Sequence, residues 1–178
     1  MLPLRWTIAA PLAPAMRIMR KSGSLTARLA RSGTVSVDVL YSGWDTARPD
    51  EASELGLWRP GRRLFAREVC VRCNGEAAVL ARSVTTVACA KGPWRRLRSL
   101  GRQPLAQVLW TDPRIVRGPF EYSRLPVADP LIRAIGGKAP LPARRSSFWL
   151  QGEKLIVLEA FVGLPWPAPG WPPPPVAP

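Results

Sequence analysis

The chain contains no histidine. That absence removes the commonest general base, the Ser-His and Cys-His nucleophile pairs, and the imidazole ligands of most zinc sites. Cysteine is nearly as scarce, with three residues, at 70, 73 and 89. An odd count without a disulfide framework fits a reducing, cytoplasmic setting. Cys70 and Cys73 have the spacing of half a zinc knuckle or a redox pair. The other half is missing and no βα turn follows, so they read better as small buried hydrophobes on opposite faces of a strand. Acidic residues are few: 12 Asp and Glu against 26 Lys and Arg, a net charge of +14. Such a balance favours anionic partners. No apolar run approaches the roughly 18 to 20 residues that span a bilayer. The opening "MLPLRWTIAAPLAPAM" has a short apolar stretch broken by prolines, which suits a disordered or loosely packed arm better than a signal peptide.

What is present is enough for one domain with a core: 178 residues, 47% of them hydrophobic and 21% charged. The last stretch, "GLPWPAPGWPPPPVAP", is proline-rich and can hold neither a ladder nor a helix, so it is a polyproline-like tail. Between the ends lie six strand candidates. Residues 34–43 alternate, with Val35, Val37, Val39 and Tyr41 on one side. "LFAREVCVRCNGEAAVLARSV", residues 64–84, is a hairpin with Asn74-Gly75 at its turn. Residues 113–123 form a fourth strand, interrupted at Gly118-Pro119. "RRSSFWLQGEKLIVLEAFV", 144–162, is a second hairpin with Gly152-Glu153 at its turn. Helical signals are fewer. Residues 16–31 hold one or two short helices with Ser24 as N-cap. Residues 92–101 form another, closed by Gly101, and 103–110 start a third with Pro104 in first position. The sum is a single-domain α+β fold: a six-stranded, mostly antiparallel sheet with a few helices.

Two features of these hairpins are odd. Counting outward from Asn74-Gly75 sets Cys73 opposite Glu76, Val71 opposite Ala78, and Arg67 opposite Arg82. Two guanidiniums about 5 Å apart repel by roughly 3 kcal/mol at an effective dielectric of 20. An anion between them reverses the sign. On that register Glu68 points to the other face. The second oddity is Glu159, a lone carboxylate sharing a strand face with Leu155, Val157 and Phe161. Such a group is costly there unless paired or protonated. Either it forms a structural salt bridge, with Arg144 or Arg145, or it belongs to a site.

The segments "SGSLTARL", "FAREVCVRCNGE", "LARSV", "LGRQPLAQVLW", "RGPFEYSR" and "ARRSSFWLQGEKLIVLEAF" occur in the order and near the spacing of the chorismate pyruvate-lyase family. The resemblance runs from about Ser22 to Pro165. It divides the chain into an arm (1–20), a lyase-like domain (21–165) and the proline-rich tail (166–178). It implies a six-stranded antiparallel sheet with helices over a buried ligand site. The implied activity is cleavage of chorismate to 4-hydroxybenzoate and pyruvate for ubiquinone biosynthesis, without cofactor or metal. The expected setting is a cytoplasmic monomer with no specific nucleic-acid partner. Residue by residue, the carboxylate-binding arginine of the family's L-R-E resembles Arg67 in "FAREV". The arginine of G-R-T resembles Arg82, the leucine of G-K-T-P-L matches Leu105, and the glutamate of L-L-T-E-L-F matches Glu159. A methionine whose backbone contacts the ligand aligns with Leu25. Ala81 stands where the family has glycine, and Leu158 where it has threonine.

On this resemblance Leu25, Arg67, Leu105 and Glu159 bind substrate, and Arg82 and Glu159 are catalytic. Arg67 would take the ring carboxylate, Arg82 the departing enolpyruvyl arm, and Glu159 the C4 hydroxyl. Two other classes are to be weighed. One is a non-catalytic sensor of a small aromatic acid, since effector domains of some bacterial regulators resemble this fold. The other is a nucleic-acid binder, but the basic residues are spread along the chain and no recognised motif accompanies them. "RRLRSLGR", 95–102, is the one basic cluster that suggests docking to an acidic membrane surface or partner.

Overall fold

A computed structural model of the chain describes residues 4–9, 19–20 and 23–162. The proline-rich tail and most of the N-terminal arm lie outside them. In chain order the elements are α1 (Leu25–Leu29), β1 (Val35–Thr46), α2 (Pro49–Glu54), β2 (Arg63–Cys73), β3 (Glu76–Thr86), α3 (Val87–Lys91), a 3-10 helix η1 (Arg95–Ser99), α4 (Ala106–Leu109), β4 (Val116–Arg117), β5 (Glu121–Leu125), α5 (Pro130–Ala134), β6 (Leu141–Leu150) and β7 (Glu153–Phe161). The strands form one antiparallel sheet in the order β1-β2-β3-β7-β6-β4, with β5 also paired to β6. The class is therefore α+β, as expected, with seven strands rather than six. The seventh arises at Gly118-Pro119, which splits residues 113–123 into β4 and β5. Gly118 is required there. Its N–H donates to the Ser147 carbonyl, and a Cβ would come within 2.8 Å of the Trp149 ring.

Both long hairpins turn on two left-handed residues. Asn74 and Gly75 have φ of 49° and 85°, and Gln151 and Gly152 have 54° and 79°. The second turn is thus Gln151-Gly152, not Gly152-Glu153, and Leu150 pairs with Glu153. In the first hairpin Cys73 does face Glu76, but the register slips between Val71 and Arg72. Val71 then faces Val79 rather than Ala78, Arg67 faces Ser83, and Glu68 faces Arg82. One extra residue on β3 sends every later side chain of that strand to the other face. The bulge exchanges a like-charge pair for an opposite-charge pair, which is the electrostatically favoured register.

The sheet accordingly has two different sides. Its front carries Val69, Val71, Val79, Val157 and Phe161, covered by α1, α3, η1 and α4. Its back carries Cys70, Leu80, Leu158 and Ala160 beneath α5, and Ala66, Val84 and Ile156 beneath α2. Cys70 and Cys73 are buried in separate clusters, as residues on opposite faces should be. On β1, Val35 and Val37 meet the core, whereas Val39 and Tyr41, on either side of a bulge, are more than a third exposed. Ser24 caps α1 by accepting from the Ala27 N–H. α4 begins at Ala106 with Leu105 as its N-cap, so Pro104 lies before the helix rather than in its first position, and Gly101 takes φ of 52° just past η1. The helices α2 and α5, unanticipated from the sequence, both begin with proline in the first position. Residues 4–9 lie against β5: Thr7 bridges Tyr122, and Leu4 and Trp6 pack on the back-face cluster.

Candidate active site

The front of the sheet and the segments above it enclose a cavity of about 750 Å³ of non-atom space, mouth included. Its floor is built from six strands, of which β2, β3, β6 and β7 each contribute alternate residues, because every second side chain of a strand shares a face. Apolar floor residues such as Val69, Val79, Val157 and Phe148 are joined by three arginines and one acid: Arg67, Arg117, Arg144 and Glu159. Leu25 and Thr26 of α1 and the 104–110 segment, including Leu105 and Trp110, form the cover. Leu25, Arg67, Leu105 and Glu159, named from the sequence, are therefore brought together in one cavity.

Arg67 is 2% exposed. Its Nη2 donates to the main-chain carbonyls of Gly101 and Gln103, 2.9 Å each, so it ties the cover to the sheet. No carboxylate pairs with it among the described residues, and its buried Nε has no partner. Burial without a counter-ion holds its pKa below the ordinary arginine value. Arg117 is similar. Its Nε is buried and unpartnered, its Cζ lies 3.6 Å from the Phe120 ring centroid, and burial followed by the neighbouring Arg144 charge lowers its pKa. Arg144, directly opposite Glu159 in the ladder, donates from Nε to Glu159 Oε2 at 2.5 Å. It also donates to the Met19 carbonyl and sits 4.1 Å from the Phe120 centroid. The salt bridge considered for Glu159 thus exists, to Arg144 and not Arg145, and it lies inside the cavity wall. Three guanidiniums against one carboxylate leave the site with a formal excess of two positive charges.

Arg82 is elsewhere. It faces the back of the sheet, 2% exposed, and does not line the cavity. Its Nε and Nη2 bind Glu51 bidentately at 2.6 and 3.1 Å, and its Nη1 reaches Asp45 at 2.8 Å and Glu68 at 2.7 Å. Burial alone would lower its pKa, but these carboxylates outweigh burial and raise it. Arg82 does not face Arg67, and Glu68 is its partner. Around it the back face gathers most of the chain's scarce acids. Arg48 bridges Glu68 and Asp129, and Arg145 meets Glu121, Asp50 and Glu54. This network pins α2 and α5 to the sheet.

The sequence reading did not single out Arg117, and it named Arg144 only as a structural partner. Counting from the correct Gln151-Gly152 turn sets Arg144 opposite Glu159. Nothing local marks Arg117 beyond its place before the Gly-Pro break. Of the two departures from the family pattern, Ala81 lines the cavity and narrows it by a methyl group. Leu158 packs on the back of the sheet and does not touch the site.

The fold has counterparts among solved structures. The effector domain of PhnF from Mycobacterium smegmatis superposes with a TM-score of 0.55 at 15% identity, covering 79% of this chain and 89% of that one. The C-terminal domain of the histidine utilization repressor from Pseudomonas syringae gives 0.55 at 14%, covering 73% and 92%. At that identity the likeness concerns architecture alone. Sequence comparison is more specific: residues 6–166 match the chorismate lyase family. The probable chorismate pyruvate-lyase of Albidiferax ferrireducens is 42% identical over 164 residues, which span 84% of this chain and 81% of the relative. That of Halorhodospira halophila is 40% identical over 155 residues, 84% and 82% of the two chains. The chain belongs to the chorismate lyase family.

Proposed function

We propose that this protein is a chorismate pyruvate-lyase, converting chorismate to 4-hydroxybenzoate and pyruvate without cofactor. The observation that carries the reading is the guanidinium excess around a single carboxylate in the covered cavity. Chorismate is a dianion, with one carboxylate on the ring and one on the enolpyruvyl arm. Arg67, on β2, binds the ring carboxylate; Arg is suited to bidentate carboxylate recognition. Glu159, on β7, accepts from the C4 hydroxyl, which lies across the ring from that carboxylate. Two strand spacings, roughly 10 Å, separate β2 from β7, and two side chains reaching inward leave room for a benzoate-sized ring. The arm leaves C3, next to C4, so its carboxylate falls beside Glu159. Arg117 and Arg144 are there, and they take the role first considered for Arg82.

The elimination breaks the C4–H and C3–O bonds and makes the ring aromatic. The enolpyruvyl methylene accepts the proton, so the leaving group departs as pyruvate and no strong protein base is required. The protein contributes pose and charge. The cover over the apolar floor folds the arm against the ring, and the arginines stabilise negative charge on the departing oxygen. Leu25 and Leu105, from α1 and the start of α4, close over the ring and exclude water. The product supplies the aromatic ring for ubiquinone in the cytoplasm.

Incubation of the purified protein with chorismate and a chelator, with products separated by chromatography, tests the assignment. 4-Hydroxybenzoate and pyruvate should appear in equal amounts. A 3-hydroxybenzoate product, a strict metal requirement, or no aromatic product refutes it. Tight 4-hydroxybenzoate binding without turnover would instead indicate a sensor.

A further inference from the structure

Outside the cavity, one surface combines exposed tryptophan with uncompensated positive charge. Trp58, in the loop between α2 and β2, is 70% exposed. The Arg59 guanidinium carbon lies 4.1 Å from its ring centroid and that of Arg62 at 5.5 Å. Next along the chain, Arg63 lies 5.1 Å from the Trp44 centroid, and Arg98 of η1 reaches the same ring at 5.5 Å. Trp44 thereby joins the 58–63 loop to η1, whose Arg95 and Arg96 are also exposed. None of Arg59, Arg62, Arg63, Arg95, Arg96 and Arg98 forms a salt bridge among the described residues. Most of the chain's acids are drawn to the back face, and of these six arginines only Arg96 has a carboxylate nearby, that of Asp112, so the patch keeps most of its charge.

We infer that this surface docks on an anionic lipid bilayer. Tryptophan and arginine side by side are the chemistry of the headgroup layer, where the indole sits at the boundary and the cations meet lipid phosphates. Single-stranded nucleic acid fits less well. Base stacking needs a free aromatic face, and both rings already carry two guanidiniums. Docking also bears on the site. η1 runs directly into Gly101 and Gln103, the carbonyls that Arg67 holds, so the lipid-facing segment continues into the cavity's cover.

The test is cosedimentation of the full chain with vesicles of phosphatidylcholine, with and without a third of phosphatidylglycerol, at low and high salt. Binding should require the anionic lipid and fall with salt. At about 1 kcal/mol per cation near the surface, each arginine removed costs roughly fivefold, so Arg95→Gln/Arg96→Gln/Arg98→Gln should lower the partition coefficient about 100-fold. The corresponding triple lysine variant should retain binding. Trp58→Ala should weaken binding several-fold with an unchanged melting temperature, since the side chain is exposed. Turnover of soluble substrate should be unaffected in all three variants. Equal binding to neutral vesicles, no binding, or displacement from vesicles by an oligonucleotide at matched charge concentration would overturn the inference.

Discussion

Replacing Arg82 by alanine separates the two sides of the sheet. The side chain is 2% exposed and makes four hydrogen bonds to three carboxylates on the back face, Glu51 itself being 5% exposed. Removing the guanidinium leaves Glu51 buried without its bidentate partner, and Glu68 keeps only the longer contact to Arg48 at 3.4 Å. Breaking a buried ion pair from one side costs about 3–5 kcal/mol. For a chain of this size, 1 kcal/mol moves the melting temperature by roughly 2–4 °C, so Arg82→Ala should lose about 6–20 °C. Part of this should return in Arg82→Met/Glu51→Leu, where the orphaned charge is gone as well. Affinity for 4-hydroxybenzoate at a temperature where the variant is folded should match the parent, because Arg82 lies outside the cavity. Thermal unfolding with and without 4-hydroxybenzoate, alongside direct titration of the ligand, reads both quantities. A variant with the parent's melting temperature but a collapsed turnover rate would refute the reasoning and return Arg82 to the active site.

Arg67→Ala should weaken 4-hydroxybenzoate and chorismate alike by about 2–4 kcal/mol, since the ring carboxylate is common to both; calorimetric titration of each ligand checks it, and a loss confined to chorismate would place Arg67 at the arm. Arg117→Ala should act the other way, raising KM or lowering kcat for chorismate while 4-hydroxybenzoate affinity changes little, as steady-state kinetics with product inhibition will show. Glu159→Gln should keep much of the ligand affinity and lower turnover; if it turns over like the parent, the Arg144–Glu159 bridge is purely structural. Stability should fall in acid. Burial raises Asp45 and Glu54, but hydrogen bonds from Arg82 to Asp45, and from Lys154 and Ser147 to Glu54, outweigh it and hold both below ordinary carboxylates. A depressed folded-state pKa stabilises above the unfolded value near 4, and the contribution is lost as pH falls through the folded value. Urea midpoints should thus be level above about pH 5 and drop below about pH 4, less steeply in Arg82→Ala, which lacks the Asp45 contact.

The sequence alone determined the local elements and much of the chemistry. Asn74-Gly75 has the left-handed φ of a two-residue turn, and alternating apolar residues defined the strands that follow. Ser24 had the side chain to cap α1. A carboxylate amid Leu155, Val157 and Phe161 marked Glu159, because an acid on an apolar strand needs a partner or a purpose. The ordered motifs named the family and, with it, four residues that line one cavity. Tertiary structure decided what depends on register and on distant segments. A single bulge after Val71 moved Arg82 from the front of the sheet to the back, because strand side chains alternate and one extra residue inverts them all. Whether a bulge forms depends on pairing between strands, here Glu68 against Arg82 with Glu51 and Asp45 gathered around it. No count outward from the turn contains that information. Arg117 entered the cavity by the same kind of long-range choice. Its strand is two residues long, and its place beside β6 is set by the Gly118 contact with Trp149 and Ser147. The charge excess of the site is likewise a tertiary property. The sequence holds too few acids for its arginines, but only the fold determines that most of those acids gather on the back face and leave the cavity one carboxylate among three guanidiniums.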